Sequence, residues 1–152
     1  MQNRVKKQTR ILAIDYGERR IGLAVSDPLG ITAQGLETLS VSCPQDALSK
    51  IEQLVKTFRV SEIILGLPVN MDGTRGCRAQ EVSGFAERLG KRTGLSVTLS
   101  DERLTSVAAH RILHRMGLKI KDKKRDVDRI AAQMLLQDYL EKYSNRGGRD
   151  AR

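Results

Sequence analysis

Apolar positions along this chain fall into two rhythms, and the switch between them lays out the elements. Ile11–Asp15 and Ile21–Asp27 are short, nearly continuous apolar runs that read as buried strands. The tight Gly17-Glu18-Arg19-Arg20 connection between them suggests a hairpin. Leu36–Val41 fits a third strand. Pro44 then opens a helix to Phe58, because Leu48, Ile51, Leu54, Val55 and Phe58 recur at helical spacing. Glu62–Leu67 is another continuous apolar strand, and Pro68–Gly76 is a turn-rich loop. A helix over Arg78–Lys91 turns Val82, Phe85, Ala86 and Leu89 inward. Ser96–Glu102 alternates as a strand, Thr105 caps a helix that stops at Gly117, and a last helix covers Asp126–Tyr143. A hairpin followed by crossovers implies an α/β fold, a mixed sheet with helices on its faces. With no repeat and no linker, residues 1–152 read as one domain, residues 1–10 and 144–152 being loose tails.

Composition narrows the class. No apolar stretch approaches the ~20 residues that span a bilayer, and the N-terminus is polar and basic, so neither an anchor nor a signal peptide is expected. Cys43 and Cys77 lie far apart without metal spacing, and read as buried or half-buried thiols of a reducing cytoplasm. A formal charge of +9 points to a polyanionic partner. Trp is absent and aromatics are 3% of residues, which argues against a platform of stacked bases.

The chemistry lies in acids that terminate elements. Asp15 ends the first strand, where a carboxylate is costly unless something positive meets it. Asp101 and Glu102 end a later strand on opposite faces, and parity alone does not choose between them. Asp128 precedes Ala131, Ala132 and Leu135 by three, four and seven positions, so it shares the sheet-facing stripe of the last helix. Asp126 goes with Arg129 and Gln133 towards solvent, whereas Asp138 leans inward but about 15 Å along. Converging carboxylates suit hard divalent cations, and phosphodiester hydrolysis uses such ions. Each acid also has a plainer reading: Asp15 as a turn cap, Asp101 or Glu102 as a partner of Arg103, Asp128 as a first-turn acid favoured by the helix dipole.

Four segments bring these acids into a known pattern. They are Asp15-Tyr16-Gly17-x-x-Arg20-Ile21-Gly22-Leu23-Ala24-Val25-Ser26-Asp27, Gly66-Leu67-Pro68-x-Asn70-Met71-Asp72-Gly73, Asp101-Glu102-Arg103-Leu104-Thr105-Ser106, and Val127-Asp128-x-x-Ala131-Ala132-x-x-Leu135-Leu136-Gln137-Asp138-Tyr139-Leu140. In order and spacing, from about Ile11 to Tyr143, they resemble the YqgF (RuvX) nuclease family. The resemblance implies an RNase H-like fold with a mixed five-stranded sheet, a bacterial cytoplasmic setting, and maturation of the 5′ end of pre-16S ribosomal RNA. It also implies resolution of Holliday junctions as the alternative, by likeness to RuvC. The family's catalytic acids fall on Asp15, Glu102 and Asp128, which selects Glu102 over Asp101 and implies Mg²⁺ or Mn²⁺ as cofactor.

Basic residues supply candidate nucleic-acid contacts. Arg19, Arg20 and Arg103 flank the acids, and either hold phosphates or pair with those acids. Lys119, Lys121, Lys123, Lys124 and Arg125 form a loop ahead of Asp128 that either clamps a backbone or is simply solvated. The Pro68–Gly76 loop either closes over substrate or is a polar crossover with an Asp-Gly turn. His110 and His114 are spaced i, i+4, but with no acidic or cysteine partner they read as a surface or packed pair. The competing functions are a sugar-kinase or ATPase lobe, disfavoured by length and the lack of a phosphate loop, and a non-catalytic RNA-binding assembly factor. The sequence leaves monomer and homodimer open.

Overall fold

The computed structural model describes residues 10–16, 19–67, 77–101 and 128–142. Its elements, in order, begin with β1 (Arg10–Tyr16), β2 (Arg20–Ser26), β3 (Ala33–Gly35), β4 (Leu39–Ser40) and α1 (Pro44–Phe58). They continue with β5 (Val60–Leu67), α2 (Cys77–Thr93) and β6 (Ser96–Asp101), and a final helix, α3, covers residues 128–142.

The sheet runs β3-β2-β1-β5-β6, with β4 also paired to β2. β1 and β2 are an antiparallel hairpin, whereas β5 and β6 join β1 in parallel through crossovers. This is the mixed sheet that the sequence implies. One strand differs. The third position, expected over Leu36–Val41, is two short pieces, Ala33–Gly35 and Leu39–Ser40, both laid along β2. The strands at the centre are continuous apolar runs because helices cover both faces.

The two faces are built differently. Leu12 and Ile14 of β1, Ile21, Leu23 and Val25 of β2, and Ile63 and Leu65 of β5 point to one side, where α1 and α2 cover them. Helical spacing places Leu48 and Ile51 of α1, and Val82, Phe85, Ala86 and Leu89 of α2, into that core, as the periodicity predicts. Phe85 stacks on Tyr16 with ring centroids 4.3 Å apart. Arg92 ties the two helices together through Glu52 and Ser49.

On the opposite side the hairpin strands present small residues and β5 an isoleucine. Ala13, Ala24 and Ile64 meet Ala132, Leu135, Leu136 and Leu140 of α3. Further along, Gln137 of α3 accepts from the Ala33 amide at 3.0 Å and donates to the Ile31 carbonyl at 3.3 Å. The Tyr139 hydroxyl donates to Glu62 at 2.5 Å. These three bonds fix the axial position of α3 on the sheet.

Three smaller expectations are corrected. Cys43 is exposed rather than half-buried, because it sits just ahead of α1. Asp138 does not lean inward: its side chain is 61% exposed and pairs with Lys142 at 3.0 Å. Arg129 and Gln133 do not simply face solvent, since their stems lie over Gly35. Glu102, Arg103, the Thr105–Met116 helix with its two histidines, the Lys119–Arg125 loop and the Pro68–Gly76 loop lie outside the described residues.

Candidate active site

Asp15 and Gly22 are cross-strand partners in the β1–β2 hairpin, so they project to the same face of the sheet. It is the face that α3 covers, since Ala13 and Ala24, two positions away on each strand, belong to that packing layer. Arg20 has the same parity as Gly22 and joins them. Asp128, the first described residue of α3, comes down onto this patch. A β-carbon built on Gly22 would lie 2.1 Å from the Asp128 carbonyl oxygen and 3.0 Å from its Cβ. Three elements thereby meet at one point: the end of one strand, the start of its hairpin partner, and α3.

The electrostatics follow from that crowding. The carboxyl of Asp128 is pushed up to about 6, first by burial and then by the negative charge of Asp15, with the Arg20 guanidinium opposing both. Arg20 Nε stands 3.4 Å from Asp128 Oδ2. That contact is an ion pair, because among the described residues the buried Nε meets no acceptor in hydrogen-bonding geometry. Asp128 therefore faces one guanidinium and a second carboxylate. Such a patch carries an unmet demand for positive charge, and its donors are oxygens, which hard divalent ions prefer. Asp15 and Asp128 fit as two ligands of such an ion. Among the described residues no group of three or more His, Cys, Asp or Glu is poised for a metal. A third ligand has to come from elsewhere in the chain.

Of the residues singled out from sequence, the structure brings Asp15, Arg20 and Asp128 together. Arg20 makes an ion pair with Asp128. Arg19 is exposed beside this patch. One neighbour of the acids escaped the sequence reading: Gly22 stood in a motif without a role, and its close approach to Asp128 shows only in the fold. At the other end of β2, away from the acids, Asp27 organises a loop: its Oδ1 accepts from the Ile31 and Thr32 amides, both at 2.7 Å, and its Oδ2 from Leu29 at 3.2 Å. Those bonds, Thr32 foremost, hold its carboxyl below the usual range. An Asp-Pro followed by Gly is a recognisable turn signal for such a loop.

The sheet order, with helices on both faces, is an RNase H-like fold. Solved resolvases share this architecture. Thermus thermophilus RuvC in complex with a Holliday junction substrate superposes with a TM-score of 0.59 at 15% identity, over 91% of this chain and 96% of that one. The fowlpox virus resolvase with Holliday junction DNA gives 0.51 at 14%, over 89% and 99%. Sequence then narrows the class. A profile of the RuvX family, described as Holliday junction resolvase, matches residues 9–142. Two proteins named "Putative pre-16S rRNA nuclease" are close in sequence. That of Acetivibrio thermocellus is 47% identical over 134 residues, 87% of this chain and 95% of its own length. That of Agathobacter rectalis is 43% identical over 139 residues, 90% of this chain and 97% of its own. The chain belongs to the RuvX family, and is accordingly a nuclease, a hydrolase acting on phosphodiester bonds.

Proposed function

We propose that this chain is a divalent-metal-dependent nuclease that trims the 5′ end of pre-16S ribosomal RNA, with Asp15, Glu102 and Asp128 holding Mg²⁺ or Mn²⁺. The observation that carries the reading is the crowding at Asp128, whose carboxyl meets the negative charge of Asp15 on one hand and the Arg20 guanidinium on the other. When bound, divalent cations supply an activated water and neutralise charge building on the scissile phosphate. Around them, Asp15 and Asp128 provide ligand oxygens from the sheet and from α3. Arg20 offsets the charge of Asp128 in their absence.

Support for Glu102 over Asp101 comes from register. Ile64, which packs under α3, pairs with Thr98, and Gly66 pairs with Ser100. The parity of β6 on the α3 face is therefore even, the parity of Glu102. Extending the β1–β5 register by one residue sets Asp15 beside Gly66 and, one strand further, Ser100. Gly66 adds no side chain between them. Arg19, Arg103 and the Lys119, Lys121, Lys123, Lys124 and Arg125 segment are the proposed phosphate contacts, in keeping with the charge of +9. On this reading the chain acts as one cytoplasmic domain. Among the described residues no helix is long and apolar enough to cross a membrane.

A second reading, resolution of four-way DNA junctions, is favoured by the description of the matching family. It requires two active sites on a symmetric dimer. The test offers a pre-16S leader and a four-way junction side by side, with Mg²⁺, Mn²⁺ or EDTA, to wild type and to Asp15→Asn. Leader cleavage that needs the metal and drops at least about 1,000-fold in Asp15→Asn, with nucleic-acid binding retained, is the expected result. Junction cleavage alone, from a dimer, would select the second reading. RNA binding without cleavage of either substrate would make the chain an assembly factor instead.

A further inference from the structure

We infer that Gly22 is a positioning residue of the active site, the seat that sets the distance between the Asp128 and Asp15 carboxylates. The inference rests on the reading of those two acids as metal ligands and adds a residue with no functional group of its own.

Several glycines lie against other elements, but their neighbours differ in kind. At Gly35 a β-carbon would meet the Arg129 and Gln133 side chains at 2.8 Å, and these are long stems that can swing aside. At Gly90 the nearest atom would be 3.6 Å away, and Gly84 opens onto free space. Gly90 faces the Leu95 carbonyl at ordinary contact distance, and Gly22 alone of these would meet backbone closer than van der Waals contact allows. The Asp128 carbonyl oxygen at 2.1 Å and carbonyl carbon at 2.4 Å belong to the main chain of α3, which cannot rotate away. An ordinary carbon–oxygen contact is about 3.3 Å, so any side chain at position 22 drives the start of α3 outward by about 1 Å.

The direction of that shift is what makes it functional. Gly22 is the cross-strand partner of Asp15, so a displacement normal to the sheet at Gly22 separates Asp128 from Asp15. The far part of the helix is held independently, by Gln137 on β3 and Tyr139 on Glu62, and stays where it is. A divalent ion shared by two carboxylates tolerates little change in their spacing, Mg²⁺ least of all. A misplacement of about 1 Å in an otherwise intact site can cost about 100-fold in rate.

The experiment compares full-length wild type with Gly22→Ala, Gly35→Ala and Asp128→Asn. Mn²⁺ affinity is measured by calorimetry, thermal unfolding by circular dichroism, and kcat and KM on the cleaved substrate. Gly22→Ala should weaken Mn²⁺ binding by about tenfold or more and lower kcat by about 100-fold, while KM stays within about twofold. Gly35→Ala, which stresses the same helix beyond Asp128, should leave all three near wild type. Wild-type Mn²⁺ affinity in a folded Gly22→Ala overturns the inference, as does an equal loss in Gly35→Ala. Wild-type affinity in Asp128→Asn overturns the ligand assignment itself and the inference with it. Should Gly22→Ala fail to fold, the wild-type protein decides. Bound Mn²⁺ should broaden the Gly22 amide resonance beyond detection while Gly94 stays visible, and a Gly22 signal that stays sharp overturns the proposal.

Discussion

The two faces of the sheet do different jobs, and their side chains show it. Under α1 and α2 the strands present Leu12, Ile14, Ile21, Leu23, Val25, Ile63 and Leu65, with Phe85 among the fully buried side chains that fill the layer. Under α3 the hairpin presents Ala13, Gly22 and Ala24 beside Ile64 of β5, so the start of the helix backbone comes down onto β2. Among the described residues the first face buries the larger set of apolar side chains, and burial of that kind stabilises in proportion to area. The second gives up bulk, and in return it brings a main-chain segment bearing a carboxylate next to the end of the central strand. Close approach, rather than burial, is what this second face is built to achieve.

The sharpest break of that contrast is a pair of packing changes. Phe85→Ala empties the bulky layer, removes the ring stacked on Tyr16, and should cost about 3–5 kcal/mol in urea unfolding. Cleavage per folded molecule should hold near wild type, because α3 and its acids do not rest on Phe85. Ala24→Val overfills the thin layer and should cost less, about 1–3 kcal/mol. It nevertheless should reduce cleavage per folded molecule more than Phe85→Ala does, by lifting α3. If activity follows stability in both variants alike, the two faces are not functionally distinct.

What the sequence discloses divides along the same line. Bulky periodicity is loud: α1 occupies Pro44–Phe58 as read, and Val82, Phe85, Ala86 and Leu89 are all buried. The thin face is quiet, because alanine and glycine mark no period. The third strand is legible only in part for that reason: Leu39–Ser40 falls within Leu36–Val41, whereas Ala33–Gly35 lies ahead of it. β3 is Ala-Gln-Gly, nearly all exposed, and it owes its place to pairing with β2 and to Gln137 reaching across from α3. Asp138 was misjudged through helical drift. Ten residues fall about 80° short of three full turns, enough to carry it from the sheet-facing stripe onto the flank. Asp15 and Asp128 were legible as a motif, but their mutual charge was not. It arises from a contact between β2 and α3 that no local window contains.

That mutual charge should be measurable as stability in the metal-free protein. In the folded chain the Asp128 carboxyl sits at about 6, against an ordinary 3.8. Between those values the folded state holds more protons than the unfolded one, so stability falls as pH rises through the window, and the full penalty stands above it. A shift of two units corresponds to at most about 3 kcal/mol. The realised penalty is smaller, since the Asp128 side chain is 26% exposed and its ion pair with Arg20 is lost on substitution. Asp128→Asn should therefore stabilise the protein in EDTA by about 1 kcal/mol at pH 8, and by almost nothing at pH 3.5. The same variant should lose metal-dependent cleavage. Urea unfolding at both pH values checks the first part. A variant less stable than wild type at pH 8 would mean that the Arg20 pair outweighs both burial and the repulsion from Asp15. The thin face would then be balanced for stability without a cation, and its claim to be a metal site would fall.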